Sequence, residues 1–301
     1  MFSYEFLILI VLIILPIFSS LCFTIFFYKR NRRGRRSPLT GNLLRGAGET
    51  LRTEIERFSE RIDGAFFAIL TMCLPPLALV LVLSFLQNYK VPVWQLILTF
   101  VFYCVLVFYA TRRLYLLFKQ RGNLYLGLDA ELAVGQELNQ LMLNGCRVYH
   151  DFPAENFNID HVVVGPGGVY AVETKGRAKP DKGRGTADAK VEYDGAKLKF
   201  PDWYEVKPLE QAKRQAEWLS RWLSSAVGSP VSVAPALALP GWYVERTASG
   251  GVTVFNGKNP VFLARPNGRR NLGEQQIQQI AHQVEQCCRD IEPTAYRKEA
   301  R

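Results

Sequence analysis

Residues 159–175 read IDHVVVGPGGVYAVETK. Two apolar runs, 161–164 and 169–172, flank Gly165-Pro166-Gly167-Gly168. β-Branched runs on either side of a Gly/Pro turn of about four residues predict a β-hairpin. Symmetric pairing about that turn sets Val164 against Val169, Val162 against Ala171 and Asp160 against Glu173. Side chains alternate along a strand, so Lys175 shares the face of Glu173. Two carboxylates directly opposite on one face, with Cβ atoms roughly 4.5–5.5 Å apart, repel each other. A cation between them removes the conflict. A hard divalent ion that takes oxygen ligands from one or two carboxylates, from water and from a substrate phosphate suits this arrangement. The lysine then stands where it can hold an attacking water or stabilise phosphoryl charge. The competing reading is a hairpin that ends in solvated charges with an ordinary Glu-x-Lys pair.

Working outward, residues 127–143 carry Leu128, Glu131, Leu132, Leu138 and Leu141 at helical spacing, stopped by Asn144-Gly145. Residues 147–152 read as a first strand. A basic Gly-rich loop, 176–185, follows the hairpin and suits either contact with a phosphate backbone or a solvated connection. Short strands are expected within 190–200, a helix opened by proline over 208–223, a buried strand over 231–239, two more strands within 241–265 and a closing helix over 273–289. His161 follows Asp160 and points to the opposite face, which favours a core histidine over a catalyst. Trp203, Trp218, Trp222 and Trp242 fit core packing better than base stacking.

The string Ile159-Asp160-His161-Val162-Val163-Val164-Gly165-Pro166, continued by Gly168-Val169-Tyr170-Ala171-Val172-Glu173-Thr174-Lys175, resembles the core of the nuclease-related domain (NERD) family. That family lies within the P-D…(D/E)-x-K, restriction-endonuclease-like superfamily. Residues 127–134, GLDAELAV, resemble its opening helix, with the acidic position on Glu131 and Ala130 where glycine is more usual. Lys207-Pro208-Leu209-Glu210-Gln211 is similar to its Asn-Pro-x-x-Gln helix start, with Lys207 in place of asparagine. The resemblance covers about 127–223. It implies a catalytic set of Asp160, Glu173 and Lys175, assisted by Glu131 and Gln211. The implied metal ligands are Asp160, Glu173 and Glu131, holding Mg2+ (or Mn2+).

The chain has 301 residues and a formal charge of +10. Residues before Lys119 hold 13 Lys/Arg against 6 Asp/Glu, or +7; those from Lys119 onward hold 24 against 21, or +3. Most of the basicity therefore lies outside the nuclease-like region, so the high overall charge is poor evidence for nucleic-acid binding. The six cysteines show no zinc spacing, and the adjacent pair Cys287-Cys288 suits no ordinary disulfide framework, which points to a reducing compartment.

Residues 6–28 are an uncharged run of spanning length followed by a basic cluster, Lys29 to Arg36. Runs at 66–86 and 93–110 suggest two more spans, and 43–62 an amphipathic helix. None of the spans holds an ionisable residue, so they read as an anchor rather than a transporter. The expected organisation is a three-span membrane anchor over 1–118, a linker over 119–126, a nuclease-like domain over 127–290 and a tail over 291–301. The expected fold class is α/β, a restriction-endonuclease-like mixed sheet flanked by helices. The expected placement is multi-pass in a bacterial inner membrane, with the C-terminal domain cytoplasmic. The function expected is metal-dependent hydrolysis of phosphodiester bonds, with nucleic acid as partner, DNA ahead of RNA. The alternative is a catalytically silent module that binds nucleic acid or protein at the membrane.

Overall fold

The computed structural model describes residues 4–32, 38–72, 92–181, 188–266, 268 and 271–293. Two compact units divide the chain. One is built around helix α1 (Tyr4–Arg32) and an isolated antiparallel bridge between Leu43 and Ile291. The other spans Leu44–Arg289 and contains every element discussed below.

Its main sheet has the order β1-β2-β3-β7-β9. Strands β1 (Arg147–Pro153), β2 (Asn158–Gly165) and β3 (Gly168–Thr174) form an antiparallel meander. Strands β7 (Val233–Ala238) and β9 (Thr253–Phe255) continue the sheet in parallel with β3. A second sheet, of order β6-β5-β4-β8, comprises β4 (Lys190–Tyr193), β5 (Leu198–Lys199), β6 (Tyr204–Glu205) and β8 (Tyr243–Arg246). Helix α2 is Glu49–Met72, α3 is Val93–Asn139, α4 is Lys207–Val227 and α5 is Glu274–Cys288. These mixed sheets flanked by helices are consistent with a restriction-endonuclease-like fold.

The hairpin has the expected register, with Val164 against Val169 and Val162 against Ala171. Its turn is tighter than the four residues read from the sequence. Gly165 and Gly168 are themselves paired, leaving Pro166-Gly167 as the loop. A side chain at Gly167 would lie 2.3 Å from the Leu263 carbonyl oxygen, so glycine is required there by close backbone approach.

Both faces of the hairpin are covered, and every residue of β3 is buried. Val134, Leu138 and Leu141, at the end of α3 and in the 3-10 turn that follows it, pack with Val163, Tyr170 and Val172 on one face. Ala216, Leu219 and Leu223 of α4 and Ile280 and Val284 of α5 pack with Val162, Val164 and Val169 on the other. Helix α4 starts with Pro208 near its N-terminus and ends at Gly228, which is left-handed at φ 75°.

Strict alternation fails at one place in the sheet. Tyr149 and Phe152 lie three residues apart yet share one core, and Ile159 and Val162 do the same. Each strand therefore loses one step of its alternation between these residues, at Asp151 and Asp160 respectively. Asp151 has φ +50°, a left-handed conformation that aspartate tolerates better than most residues.

Trp203, Trp218, Trp222 and Trp242 each pack against other aromatic rings, whereas Trp94 is exposed. Trp242 is fully buried and its Nε1–H donates to the Arg177 carbonyl at 3.1 Å, while Trp203 stacks on Phe200 with ring centroids 4.5 Å apart. Trp218 and Trp222 sit edge-on to Phe152.

The membrane reading requires correction. Among the described residues one helix, Phe100–Asn144, is long and apolar enough to cross a membrane, and it is internal rather than N-terminal. That finding overturns the three-span region placed ahead of the fold, and with it the multi-pass inner-membrane localisation. The span expected at 93–110 does not end at Arg112-Arg113. Nothing in 111–126 breaks a helix, so α3 runs unbroken through these residues and into the core of the domain. Residues 66–72 close α2, while 73–86 lie outside the described residues, as do 33–36 of the basic cluster and 182–185 of the basic loop. Residues 6–28 are helical within α1. Of the amphipathic segment expected at 43–62, residues 49–62 form the start of α2, which packs along α3 with Ile55 and Ile62 buried, while 43–48 are not helical.

The start of α2 is tied to the sheet by Asp151. This fully buried carboxylate accepts hydrogen bonds from the Thr50 backbone N–H at 2.9 Å, from Thr50 Oγ1 at 2.7 Å and from Asn158 Nδ2 at 2.6 Å. It also pairs with Arg45 Nη1 at 2.8 Å. Removing one member of a buried ion pair costs about 3–5 kcal/mol. Asp151→Ala is therefore expected to lower unfolding free energy by about 3 kcal/mol or more, read as a fall in the urea midpoint. A loss below about 1 kcal/mol would show that the α2 start is held by other contacts.

Candidate active site

β2 and β3 are paired as far as His161 against Val172. Asp160 and Glu173 are the next residues of the two strands beyond that last pair. There the Asp160 carboxylate accepts the Thr174 backbone N–H at 2.7 Å, and both acids are buried. Lys175, just past the strand end, forms an ion pair with Glu173 Oε1 and remains partly exposed. The second oxygen of Glu173, Oε2, is buried without a hydrogen-bond partner. Glu131 arrives on α3, is 7% exposed, and has its own Oε2 unpartnered. Gly176 lets that helix approach, since a side chain there would lie 2.6 Å from the Leu126 carbonyl oxygen and 3.0 Å from the Ala130 Cβ.

The acids perturb one another. Burial pushes the Glu131 carboxyl up to about 8, the charges of Asp151 and Glu173 add to the shift, and Lys175 opposes it. Asp160 is driven well above the ordinary carboxylate range by burial, then by Glu173 and Glu131, against the Thr174 N–H and Lys175. Gln211 lines a cleft of about 550 Å³ together with Lys175, Arg177, Tyr204 and Lys207. One wall of this cleft is fixed by Arg177, whose guanidinium grips both oxygens of Glu205 at 2.7 and 2.8 Å.

The fold thus gathers Asp160, Glu173, Lys175 and Glu131 into one electrostatically linked group and places Gln211 on the wall of the cleft that Lys175 opens. Among the described residues, no three His, Cys, Asp or Glu side chains converge closely enough to hold a metal ion as they stand. The chemistry of the donors still fits a hard cation. They are oxygen ligands, two of their buried oxygens lack partners, and Mg2+ is commonly held by one or two carboxylates with water and phosphate.

Asp151 was not among the residues singled out from sequence. Its signal was available, as a carboxylate set between the apolar residues Val148, Tyr149 and Phe152 of the strand Arg147–Pro153. The histidines form a buried pair, with Nδ1 atoms 2.9 Å apart and His150 Nε2 3.1 Å from Asn139 Oδ1. Burial lowers the pKa of both, His150 to about 4. A side chain at Gly135 would lie 2.9 Å from the Ala47 Cβ and 3.4 Å from the His150 ring, so α3 meets this pair through glycine. His161 is the core histidine expected.

Residues 126–240 match the family model of the nuclease-related domain. The match starts within α3, five residues before Glu131, and contains every proposed site residue. It ends just after β7, so β8, β9 and α5 lie outside it although they complete the same sheets and core. Neither a curated protein nor a solved structure matches the chain.

The acids set a pH dependence in the absence of metal. Glu131 keeps its proton in the folded chain up to about pH 8, against an ordinary value of 4.5. The folded state then binds more protons than the unfolded one, so stability falls as pH rises through this range. His150, at about 4 against 6.5, acts in the opposite sense, but only below 6.5. In EDTA the thermal midpoint of the full-length protein should therefore fall between pH 6.5 and 8, and Glu131→Gln should flatten that fall. A midpoint that rises across this window would contradict the arrangement.

Proposed function

We propose that the cleft at Lys175 is the active site of a metal-dependent phosphodiester hydrolase acting on nucleic acid. The observation that carries this reading is a pair of buried carboxylates, Asp160 and Glu173, beside Lys175, which lines a cleft together with Arg177 and Lys207. Burying Glu131, Asp160 and Glu173 close together around Lys175 opposes folding, and a bound cation offsets that cost. The match of 126–240 to the nuclease-related domain supports the same reading. Asp160 and Glu173 would hold Mg2+ or Mn2+, with Glu131 assisting. When bound, such an ion polarises the phosphate and acidifies an attacking water.

The remaining roles belong to the chain itself. Lys175, held by Glu173 at the cleft floor, faces the place of a phosphate and stabilises charge developing on its oxygens. Gln211 has an amide suited to donate a hydrogen bond to a phosphate oxygen from the cleft wall. Glu131 retains a proton near neutral pH without metal and can release it as the site gains positive charge. The domain that does this extends over 127–290. The apolar first half of α3, with Phe100, Phe102, Val105 and Phe108 each more than half exposed, supports membrane association. DNA stands ahead of RNA as substrate.

The absence of a converged three-residue metal cluster among the described residues favours a second reading, a binding module without catalysis. One experiment separates the two. Full-length protein is incubated with DNA and RNA in Mg2+, Mn2+ or EDTA, beside Asp160→Asn and Glu173→Gln. The hydrolase gives metal-dependent cleavage that drops about a hundredfold or more in either variant, as when one electrostatic partner of a transition state is removed. In EDTA Asp160→Asn should keep or raise the thermal midpoint, since burial and Glu173 already hold the Asp160 carboxyl toward its neutral form, whereas Glu173→Gln also gives up the ion pair with Lys175 and should lower it. Nucleic acid bound but never cut with either metal would establish the module instead.

A further inference from the structure

Gln211 stands between two clefts. On one side is the cleft of Lys175, Arg177 and Lys207; on the other is a cleft of about 540 Å³ lined by Phe157, Arg214, Gln215, Trp218 and Arg221. We infer that this second cleft is a base-binding subsite, through which a single-stranded nucleic acid runs along α4 away from the Lys175 site. The inference rests on the hydrolase reading of that site, since it extends the same substrate.

Four observations carry it. Lys207, Gln211, Arg214, Trp218 and Arg221 recur at helical spacing and form one stripe of α4, beside the stripe of Leu209, Ala212, Ala216, Leu219 and Leu223 buried in the core. At 1.5 Å per residue the stripe is roughly 21 Å long, enough for several nucleotides. Its cations are available. Arg221 and Lys207 are exposed, and Arg214 meets Glu210 only at 4.0 Å. Glu217 is the acid on this wall and leaves the cationic groups in the majority.

The aromatic residues decide what enters. Phe157, at the tip of the β1–β2 hairpin, is 38% exposed and stands edge-on to Trp218 with centroids 5.5 Å apart. Rings in such a recess meet the face of a base only when that base is unpaired. The volume is that of a pocket for a small-molecule-sized group, which suits a nucleoside and not a duplex. At the back of the cleft Gln215, 3% exposed, donates from Nε2 to the Asn158 carbonyl at 3.2 Å. Its Oε1 is buried without a partner and is left as an acceptor for a base N–H. The same Phe157 lies three residues before Asp160 in the chain, which fixes the subsite relative to the acids.

The test is a binding titration of the full-length protein in EDTA, so that no substrate is consumed. Labelled oligothymidylate, oligouridylate and a blunt duplex serve as probes. Both single strands should bind at least about fivefold tighter than the duplex, and Phe157→Ala should remove at least about fivefold of that affinity, the lower end for one stacked base. Phe157→Tyr should retain it, whereas Phe157→Leu, apolar but without a ring, should not. The double variant Arg214→Ala, Arg221→Ala should reduce the slope of log affinity against log salt by about 1.4, two single-strand phosphates' worth. This second readout stands even where a Phe157 variant fails to fold. Duplex bound as tightly as single strands, or a wild-type salt slope in the arginine variant, overturns the inference. Cleavage without this discrimination sinks the subsite alone, while the discrimination without metal-dependent cleavage sinks the hydrolase reading alone.

Discussion

The carboxylate of Asp160 is the constraint to which the rest of the domain answers. It lies in a hairpin covered on both faces, where an unpaired charge is costly. The chain meets that cost locally in two ways. The Thr174 N–H points at the carboxylate, and the group holds a proton far above its ordinary range. The sheet meets it geometrically. Alternation slips at Asp151 and Asp160 together, so that apolar neighbours on both strands return to one core while the two acids leave it. At the end of β3, Lys175 and the cleft beside it are where the buried acids come nearest to solvent. An arrangement in which burial and the repulsion between ionised carboxylates keep protons on the acids is poised to bind a cation that releases those protons.

The hairpin register was legible because two β-branched runs bracket a glycine-proline turn, and the short loop of that turn fixes the pairing. Helix α4 was legible from its apolar stripe and its proline. The grouping of Glu131 with the hairpin acids came from family resemblance, and the mutual electrostatics of the three agrees with it. Other features had no local signature. Arg45 and Thr50 meet Asp151 across about a hundred residues, and periodicity says nothing about such a contact. The phase slip was hidden because aspartate is an ordinary turn and surface residue, so the letter alone does not mark a left-handed position inside a strand. The role of Arg177 as a clamp on Glu205 was equally silent, since a basic loop residue and a short-strand acid become partners only when the second sheet folds back.

Helix α3 shows why hydropathy misled. A window of apolar residues that ends at arginines looks like a complete span, but charge does not terminate a helix; lost propensity, proline or a cap does. The segment after Arg113 has no proline, and its isolated glycines, Gly122, Gly127 and Gly135, weaken the helix without ending it. The helix stops only where Gly145 adopts φ 79° after the 3-10 turn.

That continuity places two features on one rigid element. The apolar half of α3 and Glu131 share a single hydrogen-bonded helix, and from Phe118 to Glu131 the axial distance is roughly 20 Å. Helix α2, packed along it with Ile55 and Ile62 buried, stiffens the same stretch. If the apolar half is held by a membrane, Glu131 cannot move independently of it, and the site stays within a short, fixed reach of the lipid surface. A flexible linker would instead have let the domain sample a wide volume. The substrate strand would then have to come to the membrane, and the stripe on α4 would set the direction in which it leaves the site.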